Sequence, residues 1–117
     1  MKLQKPSGGR YGIYSQRDFF EVLEKEGELA RIKREVDWDG ETGLIGRKVY
    51  EMEGPCLLFE KVKGYRDGYR LSSGTTGTWP RVALSMMMAK NTSVRKIYKE
   101  YETKVDKKIA PKTVNKG

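Results

Sequence analysis

Asp18-Phe19-Phe20-Glu21-Val22-Leu23-Glu24-Lys25-Glu26-Gly27-Glu28-Leu29-Ala30-Arg31-Ile32 passes from a helix to a strand across one glycine. Phe19, Val22 and Leu23 recur at helical spacing up to Gly27, a residue that suits the left-handed turn ending a helix. Just upstream, Ser15-Gln16-Arg17-Asp18 has the pattern of a capping box, with Asp where Glu is usual. From Glu28 the period changes to two. Ala30, Ile32, Arg34 and Val36 fall on one side and Leu29, Arg31, Lys33 and Glu35 largely on the other, which predicts a strand with one wet face. Asp37-Trp38-Asp39-Gly40 ends it, and a helix feeding directly into a strand sets a mixed α/β fold.

Working outward, Leu44, Ile45, Val49 and Met52 predict a second helix. Gly43 and Gly46 inside it each cost roughly 1 kcal/mol against Ala, so close packing against another surface is expected there. Gly54-Pro55 stops that helix, and Cys56-Leu57-Leu58-Phe59, continuing to Val62, has the length of a buried strand. The turn residues of 63–68, with Asp67-Gly68 the strongest signal, predict a return strand at Tyr69-Arg70-Leu71. Thr78 and Pro80 suit the start of a third helix over 79–89. Ser93 suits the cap of a fourth, with Ile97, Tyr98, Tyr101 and Val105 as its apolar stripe. The expected fold class is α/β (α+β): a small mixed sheet of three to four strands packed with about four helices. It forms a single domain over 15–105, with an irregular N-terminal arm over 1–14 and an extended basic C-terminal tail over 106–117. Leu29, Ile32, Leu57, Leu58 and Phe59 are the expected core.

Composition narrows the chemistry. The chain has 117 residues, no histidine and one cysteine, so it cannot by itself assemble a Ser/His/Asp or Cys/His nucleophile pair or a usual zinc site. Cys56 has no disulfide partner, in keeping with a reducing compartment, and lies in an apolar run as core filling. No stretch approaches the roughly 20 apolar residues of a membrane span, and Met1-Lys2-Leu3-Gln4-Lys5-Pro6 lacks the apolar centre of a secretory signal; a cytoplasmic protein is expected. Only 37% of residues are hydrophobic and 34% are charged, so burial has little surplus over chain entropy and a stabilising partner is expected. The net charge is +8, of which +6 falls after Ala89. That segment suits nucleic acid, an acidic protein surface, or water alone.

Three local features invite a sharper reading. Gly74-Thr75-Thr76-Gly77-Thr78 before a helix could let backbone N–H groups approach a phosphate, but it lacks the Gly-Lys-Ser/Thr ending of a P-loop and reads better as a plain loop entering a helix. Met86-Met87-Met88 suits an adaptable contact surface, although at helical spacing core packing is the stronger reading. Tyr98 and Tyr101 among Arg95, Lys96, Lys99 and Lys104 could stack bases beside a phosphate stripe, but an amphipathic helix with a solvated basic face uses the same residues.

Arg17-Asp18-Phe19-Phe20-Glu21-Val22-Leu23-Glu24, then Gly27-Glu28-Leu29 and Val36-Asp37, resembles the opening of the UbiD-like decarboxylases, flavoenzymes that use prenylated flavin mononucleotide. Gly54-Pro55-Cys56-Leu57-Leu58-Phe59-Glu60-Lys61-Val62-Lys63-Gly64-Tyr65 resembles that family's next block, with Cys56 and Lys61 as the two substitutions in twelve positions. Arg81-Val82-Ala83-Leu84 and the linker-like segment from Pro111 to Gly117 are similar to later pieces. Gly43, Gly46 and the threonine-rich Gly74 loop depart from the family pattern.

The resemblance covers roughly residues 15–115 and ends before the family's flavin-binding domain, with its Asn/His/Glu metal and phosphate ligands and its Glu-Arg-Glu set. No catalytic, cofactor-binding or metal residue is therefore carried over. It implies a non-catalytic small subunit of a prenylated-flavin (de)carboxylase complex acting on an aromatic acid or ring, a reading that the Met1 start and complete fold unit favour. A larger UbiD-like catalytic subunit is the expected partner, in a hetero-oligomer, and prenylated FMN with a divalent metal and K+ is expected in that partner. Tyr11, Tyr14, Gly43, Gly46, Trp79, Met87 and Lys108 are the expected interface residues. Two alternatives stay open: a basic module for RNA or another polyanion, and a fragment of a full-length decarboxylase.

Overall fold

The structure is a computed structural model that describes residues 12–116. Its elements run α1 (Gln16–Lys25), β1 (Leu29–Val36), α2 (Glu41–Glu51), β2 (Cys56–Val62), β3 (Leu71–Ser73), α3 (Trp79–Ser85) and α4 (Val94–Asp106). The sheet order is β1-β2-β3, with β1 parallel to β2 and β2 antiparallel to β3. The mixed three-stranded sheet with four helices is the fold class that the sequence predicts.

β2 is central because its side chains are apolar on both faces, as a doubly covered strand requires. Cys56 and Leu58 pack with Phe19, Phe20, Val22 and Leu23 of α1 and Leu84 of α3. Leu57 and Phe59 point the other way and pack with Val36, Ala30 and Ile32 of β1 and Ile45 and Val49 of α2. The sheet is thus sandwiched between α1/α3 and α2. Leu57, Leu58 and Phe59 are buried as expected, whereas Leu29 and Ile32 are half-buried.

The start of α1 is built as its sequence predicts. Ser15 Oγ accepts a bond from Asp18 N–H at 3.2 Å, and Asp18 Oδ2 reaches back to Tyr14 N–H at 3.0 Å. At its end, Glu28 N–H bonds Leu23 C=O and Gly27 N–H bonds Glu24 C=O, the paired closure of a Schellman turn with Gly27 at φ +73°.

β1 keeps its wet face at Arg31, Lys33 and Glu35, where Arg31 grips Glu24 of α1 and Glu60 of β2, although Leu29 on that side packs on the α1 cluster. Four expectations change. The return strand lies at Leu71–Ser73, two residues later than predicted, because 63–70 forms an open loop with Gly64 and Gly68 at positive φ. α3 ends at Ser85, so Met86, Met87 and Met88 form its closing turn and lie half-buried. Of the α4 stripe only Ile97 is buried, while Tyr98, Tyr101 and Val105 are each more than half exposed. Leu44 and Met52 of the second helix also face solvent, leaving Ile45 and Val49 to carry its packing.

Candidate docking surface

Arg81 organises the region where α3 begins. It follows Trp79 and Pro80 on a short helix whose inward face also carries Ala83 and Leu84, so its guanidinium is held inside, 2% exposed. Nε donates to Gly74 C=O at 2.8 Å, and Nη1 donates to Gly54 C=O at 2.9 Å and to Glu28 Oε2 at 3.2 Å. One side chain therefore pins the turns that follow α1, α2 and β3. A charged donor this deep is tolerable only because a carboxylate and two carbonyls surround it.

The Gly74–Thr78 segment wraps this guanidinium. A Cβ built on Gly77 would stand 3.0 Å from Arg81 Nη2, so the loop leaves room for a protein cation rather than a phosphate. Thr78 occupies the N-cap position but makes no side-chain capping bond, and its Oγ1 is buried without a partner.

Outward from this knot lies an apolar groove between α3 and α4, lined by Trp79, Val82, Met86, Ile97, Tyr98 and Tyr101, with a volume of about 230 Å³. The Trp79 and Tyr98 rings stand 5.8 Å apart in a tilted pair, the geometry aromatic quadrupoles favour. Lys104 Nζ donates to Met86 C=O at 3.0 Å and fastens α4 over the end of α3. A second depression of about 550 Å³ adjoins the same tryptophan and is lined also by Tyr50, Glu51 and Glu53 from the end of α2. Trp79, 46% exposed, is the shared wall.

The structure places the expected interface residues apart. Trp79 stands at the groove, and Met87 lies in the turn beneath it at φ +62°. Tyr14 is 91% exposed before α1, and Lys108 lies in the exposed tail. Gly43 meets open space, whereas a Cβ on Gly46 would come 2.5 Å from Ser73 Oγ, so Gly46 lets α2 lie close on β3 of its own chain. Tyr11 lies outside the described residues. The expected contact residues did not include Val82, Ile97, Tyr98 and Tyr101 of this groove; Met86 entered only within the Met86-Met87-Met88 reading, and Arg81 only within the family resemblance. The aromatic spacing of α4 was the available signal for the first group.

The titratable groups serve the framework. Hydrogen bonding to Arg31 holds the Glu24 carboxyl below the usual range. Lys63 does the same for Asp37, and the Asp37 backbone N–H for Glu41. Burial pushes the Cys56 thiol up, away from the reactive thiolate. Among the described residues no three His, Cys, Asp or Glu side chains stand together as a metal site. No helix among them is long and apolar enough to cross a membrane.

A family model described as the 3-octaprenyl-4-hydroxybenzoate carboxy-lyase N-terminal domain matches residues 20–101. A phenolic acid decarboxylase of Sedimentibacter hydroxybenzoicus is 36% identical over 102 residues, covering 86% of this chain and 21% of that protein. Vanillic acid decarboxylase (ShVdcCD) of the same organism, solved in open form with truncated ShVdcD, superposes with a TM-score of 0.75 at 35% identity, covering 86% of this chain and 21% of that one. The UbiD-class enzyme HmfF of Pelotomaculum thermopropionicum, in complex with FMN, superposes with a TM-score of 0.54 at 31% identity over 63% of this chain and 16% of that one. The chain spans about a fifth of the length of the curated relatives it matches.

Proposed function

Because this chain belongs to the family of 3-octaprenyl-4-hydroxybenzoate carboxy-lyase N-terminal domains, we propose that it is a non-catalytic module of a UbiD-like (de)carboxylase acting on an aromatic acid. It docks on a larger chain that holds the prenylated flavin, its divalent metal and K+, and it helps shape that chain's cleft. It works in the cytoplasm, as an arm over 1–14, a body over 15–105 and a tail over 106–117.

The observation that carries this reading is the groove of Trp79, Val82, Met86, Ile97, Tyr98 and Tyr101. An aromatic pair half open to water, on a chain with few apolar residues, has the composition of an interface centre. Lys104 reaches over the end of α3 beside it and the chain after Ala89 carries a surplus of +6, so the partner surface is apolar with an acidic border. Prenylated-flavin chemistry supplies the carbon–carbon bond cleavage or formation from the larger chain, and this chain's contribution is binding.

Affinity purification of the tagged chain from its source cells tests this. The wild-type chain should bring down a larger flavin-containing polypeptide, and Trp79→Asp with Tyr98→Asp should lose it while the circular dichroism spectrum stays unchanged. Equal recovery with the double variant would move the interface elsewhere, and recovery of nucleic acid in place of a larger chain would favour the polyanion reading.

A further inference from the structure

Of the eight arginines among the described residues, Arg31, Arg34, Arg47 and Arg81 each have a carboxylate partner at 3.2 Å or less. Arg17, Arg66, Arg70 and Arg95 have none among the described residues; Arg95 stands by itself at the start of α4, whereas the other three line one open cleft of about 740 Å³, together with Gln16, Phe20, Asp67 and Tyr69. Unpaired like charges repel and spread unless something gathers them, so three free guanidiniums around one cleft point to an anionic ligand.

The topology explains the convergence. β1 and β2 run parallel, and the loop 63–70 leaves the carboxyl end of β2. α1 runs into β1 through a tight turn, which brings its first residues, Gln16 and Arg17, to that same end. The crevice beyond the carboxyl ends of parallel strands is where open α/β sheets bind ligands. Gly68, at φ +99°, gives the bend that sets Arg66 and Arg70 on either side of Tyr69.

Charge and shape specify the ligand. Counting Asp67, the cleft carries a net +2, which matches a phosphate monoester of about −1.5 to −2 at neutral pH better than a single carboxylate. Tyr69 and Arg70 also wall a smaller apolar slot of about 190 Å³ with Trp38, Val62, Tyr65 and Leu71. Tyr65 and Tyr69 stand 5.9 Å apart, and the Arg66 guanidinium lies 5.6 Å from the Tyr69 ring centre. A planar ring fits beside those faces while its phosphate meets the arginines.

We infer that Arg17, Arg66 and Arg70, with the Trp38/Tyr65/Tyr69 slot, form a binding site for the phosphate monoester of a small aromatic molecule of mononucleotide type. The site lies at the sheet end and uses none of the residues of the α3/α4 groove.

Titration of the isotopically labelled full chain with AMP at low salt, followed by amide chemical shifts, tests it. Saturable shifts should centre on Arg17, Gly68 and Tyr69, with adenosine and inorganic phosphate each binding at least tenfold more weakly. Arg66→Ala with Arg70→Ala should weaken AMP at least tenfold with the remaining spectrum unchanged, while Lys96→Ala with Lys99→Ala on α4 should leave it as it was. Absence of shifts at millimolar AMP, equal affinity for adenosine or for phosphate alone, or unchanged AMP affinity in the arginine variant would overturn the assignment.

Discussion

Arg81 is the residue on which the arrangement of turns depends. Its removal leaves Glu28 and the carbonyls of Gly54 and Gly74 without their donor, and breaking such a buried set costs about 3–5 kcal/mol. Arg81→Ala should lower the unfolding free energy from urea titration by that amount, and Arg81→Lys should recover little, since an ammonium cannot reach three turns from one fork. Glu24 gives a pH signature. Its carboxyl is held low by Arg31, so its contribution is present above the unfolded value near 4.3 and is lost as pH falls through the lower folded value. Because both partners are partly exposed, the effect is under about 1 kcal/mol. Urea midpoints measured from pH 6 down to 3 should fall less steeply for Glu24→Gln than for the wild type. These two residues also show what a sequence discloses. The Ser15/Asp18 cap could be read directly because its partners are three and four residues apart. The Arg81 knot could not, because its partners lie 7, 27 and 53 residues away and only the finished fold brings them together.

At the scale of elements, α1, α2 and α3 end in the same paired turn, with Gly27, Glu53 and Met87 in the left-handed position. A side chain there costs about 1–2 kcal/mol relative to an unstrained backbone. Met87→Gly should therefore raise the unfolding free energy from urea titration by about 1 kcal/mol. The absence of glycine after Ser85 is also why α3 read as running on to Ala89. The two glycines of α2 separate by experiment: Gly43→Ala meets open space and should stabilise by about 0.5–1 kcal/mol, whereas Gly46→Ala drives a methyl against Ser73 and should gain nothing or lose stability in thermal unfolding. Element type followed from periodicity through β2. The period of α4 marked a helix correctly, but periodicity carries no information on whether the apolar stripe meets this chain or another.

The whole molecule is looser than its length requires. Its radius of gyration is 16.6 Å, against about 13.4 Å for a compact chain of this size. α4 is anchored by Ile97 alone among its buried residues, and the tail after it exposes Ile109 and Val114 to water. Such surfaces fit the proposed docking on a larger chain. The proposed role makes this chain one part of a complex with a flavin-bearing polypeptide, and light scattering with flavin absorbance, recorded on the natively purified chain, decides it. One species well above 13.5 kDa whose visible absorbance travels with this chain is expected; a colourless species of 13.5 kDa would overturn the proposal.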